Sequence, residues 1–195
     1  MTAAGRIGVF GGTFDPVHVG HLAIALAALE TLPLDRVVFV PARRSPLKSR
    51  EPVAGPEHRL EMLRLATRGE PRFEVSRIEL DREGPSYTAD TLEALSGEGR
   101  LFLILGADAS AELDRWKDPE RVRALATLVV ARRPGAAVAA PPGAMTLEVP
   151  LMDISARELR ARAARARSLR YLVPDPVCRY IEEHALYRED PSPAS

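Results

Sequence analysis

Cysteine occurs once, at Cys178, so no internal disulfide can form and nothing points to an oxidising compartment. Lysine is almost as scarce: Lys48 and Lys117 are the two lysines among 27 basic residues, and the rest are arginine. That bias, with many alanines and prolines, fits the coding of a GC-rich genome, and selection for heat stability would look the same. Charge of one sign is not in excess, because 27 basic residues balance 27 acidic ones. A protein whose main task is to coat nucleic acid normally shows a basic surplus, so nucleic acid is not an expected partner. No run approaches the ~20 apolar residues that a membrane-spanning helix needs. The opening MTAAGRIGVFGG also lacks the apolar stretch of a secretory leader, and a cytoplasmic protein with no membrane partner is expected. Two nucleotide signatures are missing as well, the dinucleotide fingerprint GxGxxG and the phosphate loop GxxxxGK(S/T).

What is present is an alternation. Short apolar runs at Arg6–Phe10, Arg36–Pro41, Arg100–Gly106 and 127–133 read as buried strands, as does the alternating RFEVSRIEL at 72–80, and MTLEVP at 145–150 closes the series. Helical stretches fall between them, near 19–32 (stopped by Pro33), 57–68, 88–96, 107–116 and 119–126. Two more follow near 155–167 and 176–185, and the tail 189–195 reads as disordered. Strands alternating with helices predict an α/β fold: one Rossmann-like domain over residues 1–188, with a mostly parallel sheet covered on both faces. Its 195 residues suffice for one such core. No repeat and no interdomain linker interrupts it, and nothing in the sequence fixes the oligomeric state, so a homo-oligomer stays open.

The densest chemistry lies in GGTFDPVHVGH, residues 11–21, after the first strand. In open α/β sheets ligands bind where a strand's carboxyl end turns into a helix. Glycines there let backbone approach a ligand closely, and the helix N-terminus offers N–H groups and a positive dipole end to phosphate. If the helix has begun by His18, then His18 and His21, three residues apart, lie on one face near its first turn and address one anion together. A glycine pair or a lone histidine would have common structural explanations, and no carboxylate or cysteine stands at ligand spacing to make the histidines a metal site. The conjunction of residues is the specific signal.

GGTFDPVHVGH resembles the HxGH signature of the nucleotidylyltransferase superfamily, in the long form typical of bacterial nicotinate-nucleotide adenylyltransferases. EHRLEMLRLA (57–66), SYTADTLEAL (86–95), LGADASAELDRWKDPE (105–120), DISARELR (153–160) and VPDPVCRYIEEHALY (173–187) fall in that family's order. The resemblance, over about residues 6–187, implies transfer of the adenylyl group of ATP, with Mg²⁺ on the triphosphate, to nicotinic acid mononucleotide. It implies that His18 and His21 bind the ATP phosphates and stabilise the transition state, and that Gly11, Gly12, Thr13 and Phe14 form the loop beside the nucleotides. Gly106 and Asp108 approach the adenosine on the same grounds.

DISARELR is similar to the family's ISSTxIR element, which brings Ile154, Ser155 and Arg160 to the triphosphate. Ala156 and Arg157 depart from the usual Ser and Thr, so hydroxyl contacts there are lost and Arg157 can supply a charged one instead. Arg162, Arg165, Arg167 and Arg170 read as a solvated basic face. On the acceptor side the resemblance assigns Tyr87 and Thr88, at the start of a helix, to the carboxylate and Trp116, the sole tryptophan, to the pyridine ring. Lys48 stands in SPLKS where the family often has PPHK, so the lysine carries over to phosphate binding and the neighbouring histidine does not. The surrounding loop, 42–55, is the expected mobile one. Pantetheine-phosphate and nicotinamide-mononucleotide adenylyltransferases share HxGH but not this full set.

Overall fold

Strands that carry apolar side chains on both faces need a layer of helices on each side, and this chain supplies both layers. The structure, a computed structural model, describes residues 5–44, 51–132, 140–150 and 152–188. Its strands are β1 (Gly5–Gly12), β2 (Arg36–Pro41), β3 (Phe73–Val75), β4 (Gly99–Gly106), β5 (Ala126–Arg132) and β6 (Met145–Glu148). All neighbours pair in parallel, in the order β3-β2-β1-β4-β5-β6. Among the described residues, no helix is long and apolar enough to cross a membrane.

Among the described residues, seven helices connect and flank these strands: α1 (Val19–Thr31), α2 (Pro56–Thr67), α3 (Thr88–Leu95), α4 (Ala107–Ala111), α5 (Pro119–Leu125), α6 (Ala156–Ala164) and α7 (Asp175–Glu183). The period of two along the strands divides the core. Ile7 and Val9 of β1, with Leu101, Leu103 and Leu105 of β4, pack on Leu92 of α3 and Val122 of α5. Phe10, Phe39, Phe102 and Ile104 point to the other face, against Leu29 of α1, Met62 and Leu63 of α2, Leu159 of α6 and Ile181 of α7.

The expected strands and helices form, with one large change. The strand expected over 72–80 ends at Val75. One more bond, from the Ser76 N–H to the Phe39 carbonyl, continues the ladder. The Ser76 hydroxyl then accepts from the Ile78 N–H, and the Leu80 N–H bonds back to Arg77. A serine bonding two residues ahead competes with the ladder and turns the chain. The alternation of residue types in 76–80 therefore belongs to a turn, in which Glu79 and Leu80 are buried side by side. The stretch 107–116 is likewise divided, α4 being followed by a short 3₁₀ turn at Leu113–Arg115. The helix expected to reach Arg167 stops at Ala164, where Ala166 takes a left-handed φ of 51° and the Arg167 N–H caps back to the Arg162 carbonyl. Lys48, the centre of the 42–55 loop and the tail 189–195 lie outside the described residues.

Candidate active site

The connection order reverses between β1 and β4: from β1 the chain proceeds outward to β2, from β4 to β5. Such a switch point opens a crevice at the carboxyl ends of the strands. Here it holds a cavity of about 560 Å³, lined from β1 by Val9, Gly11 and Gly12, and beyond it by Thr13. Val40 of β2 and Ala42 just past it line it too, with Leu103–Gly106 from β4. The opposite wall is Glu79, Ser86, Tyr87, Thr88 and Thr91, and Trp116 and Lys117 close the end.

Six of the expected site residues therefore share one cavity with Gly106: Gly11, Gly12, Thr13, Tyr87, Thr88 and Trp116. Tyr87 is the N-cap of α3 and Thr88 its first residue, so the unpartnered N–H groups of a helix start lie at the wall. Lys117 Nζ sits 4.2 Å from the centre of the Tyr87 ring. The Trp116 indole nitrogen is buried with no hydrogen-bond partner among the described residues.

Phe14 is a correction. The resemblance puts it in the loop against the nucleotides, yet its side chain is 2% exposed and packs edge-on against Phe10 and His21. A Cβ on Gly12 would stand 2.9 Å from that ring, so Gly12 lets the loop fold over Phe14. Phe14 shapes the loop from beneath, and its ring is not available to a nucleotide.

The histidines lie outside the cavity lining, at the other end of the same loop. His18 is the N-cap of α1 rather than a helical residue, with an extended backbone. The rings of His18 and His21 lie 3.7 Å apart, tilted by 33°. The His18 N–H donates to His21 Nδ1 at 3.2 Å, which leaves the proton of a neutral His21 ring on Nε2. His18 is 7% exposed, its Nδ1 has no partner among the described residues, and burial pulls its pKa down from 6.5 to about 4. Without an anion it is neutral at pH 7. Gly20 explains the glycine of HxGH, because a Cβ there would stand 3.1 Å from His18 Nδ1. The helix end is less open than expected, since the Leu172 carbonyl already takes the Val19 N–H at 3.1 Å.

Arg160 and Ser155 have structural partners. The Arg160 guanidinium donates to the Asp15 carbonyl at 2.6 Å, and Ser155 caps α6 by accepting from the Glu158 N–H at 3.2 Å. Ile154 packs half-buried against the core, whereas Arg157 and Asp108 are exposed and outside the cavity lining.

Sequence reasoning missed the frame beneath the loop. Arg59, 1% exposed, donates to the carbonyls of Ala54 (3.1 Å), Thr13 (2.8 Å) and Ala42 (2.7 Å). Burial lowers its pKa, and the charges of Asp15 and Tyr187 act in the opposite direction. Asp15, 4% exposed, accepts from the N–H groups of Val53 (2.7 Å) and Ala54 (3.1 Å) and from the Tyr187 hydroxyl (2.8 Å). Burial and the neighbouring Asp15 push the Tyr187 hydroxyl far above its ordinary range, so it remains a donor. Arg59 was legible in principle: it falls three and four residues before Met62 and Leu63, on the apolar face of its helix.

Residues 9–162 match the family model described as cytidylyltransferase-like, and this sets the class: a nucleotidyltransferase. A probable nicotinate-nucleotide adenylyltransferase of Roseiflexus sp. (strain RS-1) is 51% identical over 194 residues, spanning 93% of this chain and 98% of that one. The protein of the same name from Thermus thermophilus is 52% identical, over 94% of this chain and 100% of its own. The chain belongs to the nicotinate-nucleotide adenylyltransferase family. The fold agrees with that of a Plasmodium falciparum nicotinic acid mononucleotide adenylyltransferase complexed with NaAD. Its TM-score is 0.75 at 17% identity, covering 94% of this chain and 97% of that one.

Proposed function

We propose that this chain joins the adenylyl group of ATP to the phosphate of nicotinic acid mononucleotide, releasing pyrophosphate and nicotinic acid adenine dinucleotide. The observation that carries the reading is the shared cavity, which places the glycine loop, the start of α3 and the sole tryptophan around one space. The acceptor's ring stacks on Trp116, and its carboxylate meets the N–H groups at Tyr87 and Thr88. Backbone donors favour a carboxylate over an amide, whose NH₂ would face them.

The chemistry asks little of the protein beyond placement. A nucleotide phosphate with its second pKa near ~6 is already an anionic nucleophile at pH 7, so no general base is needed. Alignment of two polyanions and stabilisation of charge on the α-phosphate and the departing pyrophosphate remain to be supplied. His18, with its unpartnered Nδ1, and His21, with its proton on Nε2, are assigned to those phosphate oxygens. Gly11, Gly12, Thr13 and Gly106 border the nucleotide, and Asp108, Ser155, Arg157, Arg160 and Lys48 are assigned to ATP or phosphate on the resemblance alone. No group of three or more His, Cys, Asp or Glu gathers among the described residues. That donor set suits a Mg²⁺ carried on ATP oxygens and water, where it would offset phosphate charge.

The test is pyrophosphate release from ATP and Mg²⁺ with nicotinic acid mononucleotide, nicotinamide mononucleotide and phosphopantetheine compared side by side. A strong preference for the first is expected, with kcat reduced about 100-fold or more in His18→Ala. Preference for another acceptor would overturn the substrate, and ATP binding with no release on any acceptor would overturn the transfer itself.

A further inference from the structure

Glu79 stands out among the cavity's walls as a buried carboxyl, 7% exposed, in a space read as receiving an anionic acceptor. A carboxylate there is electrostatically adverse unless its lone pairs are occupied. Residues on either side of the turn that begins α3 attend to it. The Thr91 hydroxyl donates to Oε1 at 2.7 Å, and the Ser86 hydroxyl beside it favours the charged carboxylate. Ser86 Oγ in turn accepts the Arg43 N–H at 3.0 Å, which ties the turn to the exit of β2. The Arg43 guanidinium reaches the Leu80 carbonyl, next to Glu79, at 3.0 Å. Burial raises the Glu79 pKa, opposed by the two hydroxyls and by the charge of Arg82.

Between Ser86 and Thr91 lie Tyr87 and Thr88, which line the same cavity. The Thr91 hydroxyl is turned to Glu79, so that carboxyl anchors the start of α3 from within the cavity wall. We infer that Glu79 is a positioning residue for the acceptor: by holding Thr91, with Ser86 beside it, it fixes the first turn of α3, where Tyr87 and Thr88 line the acceptor's place. This rests on the acceptor assignment of the preceding subsection.

The sole tryptophan lines the cavity, so quenching of its fluorescence reads acceptor binding without turnover. Nicotinic acid mononucleotide and ATP are titrated separately into wild type, Glu79→Gln, Glu79→Ala and Thr91→Val. Glu79→Ala is expected to weaken acceptor binding at least 10-fold while leaving ATP binding within 2-fold. Glu79→Gln, which keeps one acceptor oxygen, should recover part of the loss, and Thr91→Val, which removes one hydroxyl at nearly constant volume, should show a smaller loss of the same kind. Acceptor affinity unchanged in Glu79→Ala, or acceptor and ATP affinities falling together in all three variants, overturns the inference. The acceptor assignment is judged separately on wild type: no quenching by nicotinic acid mononucleotide defeats it, and the role of Glu79 falls with it. Should Glu79→Ala fail to fold, Glu79→Gln and Thr91→Val decide, an unchanged acceptor affinity in both again overturning it.

Discussion

Gly20 and His18 set local propensity against placement within three residues of chain. In the first turn of α1 an alanine is worth up to about 1 kcal/mol more than glycine. The missing Cβ instead leaves room for the His18 ring. Gly20→Ala is therefore expected to leave the melting temperature unchanged or raised while kcat falls about 10-fold, a split that thermal melts and steady-state rates together would reveal. His18 gives a pH prediction whose sign follows from burial. Its pKa is about 4 when folded and 6.5 when exposed, so between these values the unfolded chain binds the extra proton. Stability then declines as pH falls from 6.5 towards 4, by about 3 kcal/mol from this residue. His18→Gln should flatten that part of the profile in denaturant melts at successive pH values, and an unchanged slope would refute the assignment. The motif itself was legible residue by residue, but the reason for its glycine was not, because the ring's position above the helix end depends on packing from β1 and the loop.

Between elements, the parallel strands could be read from their apolar runs, because a strand buried on both faces has no polar face to obscure it. The region 72–80 could not, because its alternating residue types read as a strand although the turn held by Ser76 buries Glu79 and Leu80 side by side. That difference matters for the site, since the turn is what presents Glu79 to the cavity. Phe14 misleads for a related reason: proximity to a loop's ligand in sequence says nothing of which way a ring points, and here it faces the core. Arg59 binds elements that no linear pattern connects, since its guanidinium holds the glycine loop, the exit of β2 and the start of α2 at once. Arg59→Met would leave three carbonyls without their donor and remove a positive charge near the buried Asp15, and is expected to cost about 3–5 kcal/mol in urea or guanidinium unfolding. A cost below about 1 kcal/mol would mean that the loop is held by other contacts.

Over the whole molecule, one carboxylate joins the beginning of the chain to its end. Asp15 accepts from the Tyr187 hydroxyl 172 residues away, and its backbone carbonyl accepts from Arg160. Tyr187→Phe keeps the ring and removes the donor, leaving a buried acceptor short of a partner. A loss of about 1–3 kcal/mol is expected in equilibrium unfolding, with ATP affinity reduced because the GGTFDP loop is held from that side. Titration of ATP into the variant checks the second part.

This arrangement also bears on how the protein is made. The sheet's central strands and the HxGH segment leave the ribosome early, yet the brace beneath them arrives with α6 and the residues after α7. Chains emerge from the N-terminus at about 5–20 residues per second, so for several seconds at least a nascent chain holds its GGTFDP loop with Arg59 alone of its braces, before Arg160 and Tyr187 arrive. A message truncated before codon 187 would yield a chain with every motif of the first 120 residues and a loop released from its far anchor. The contacts that close the frame under that loop are thus the last to form.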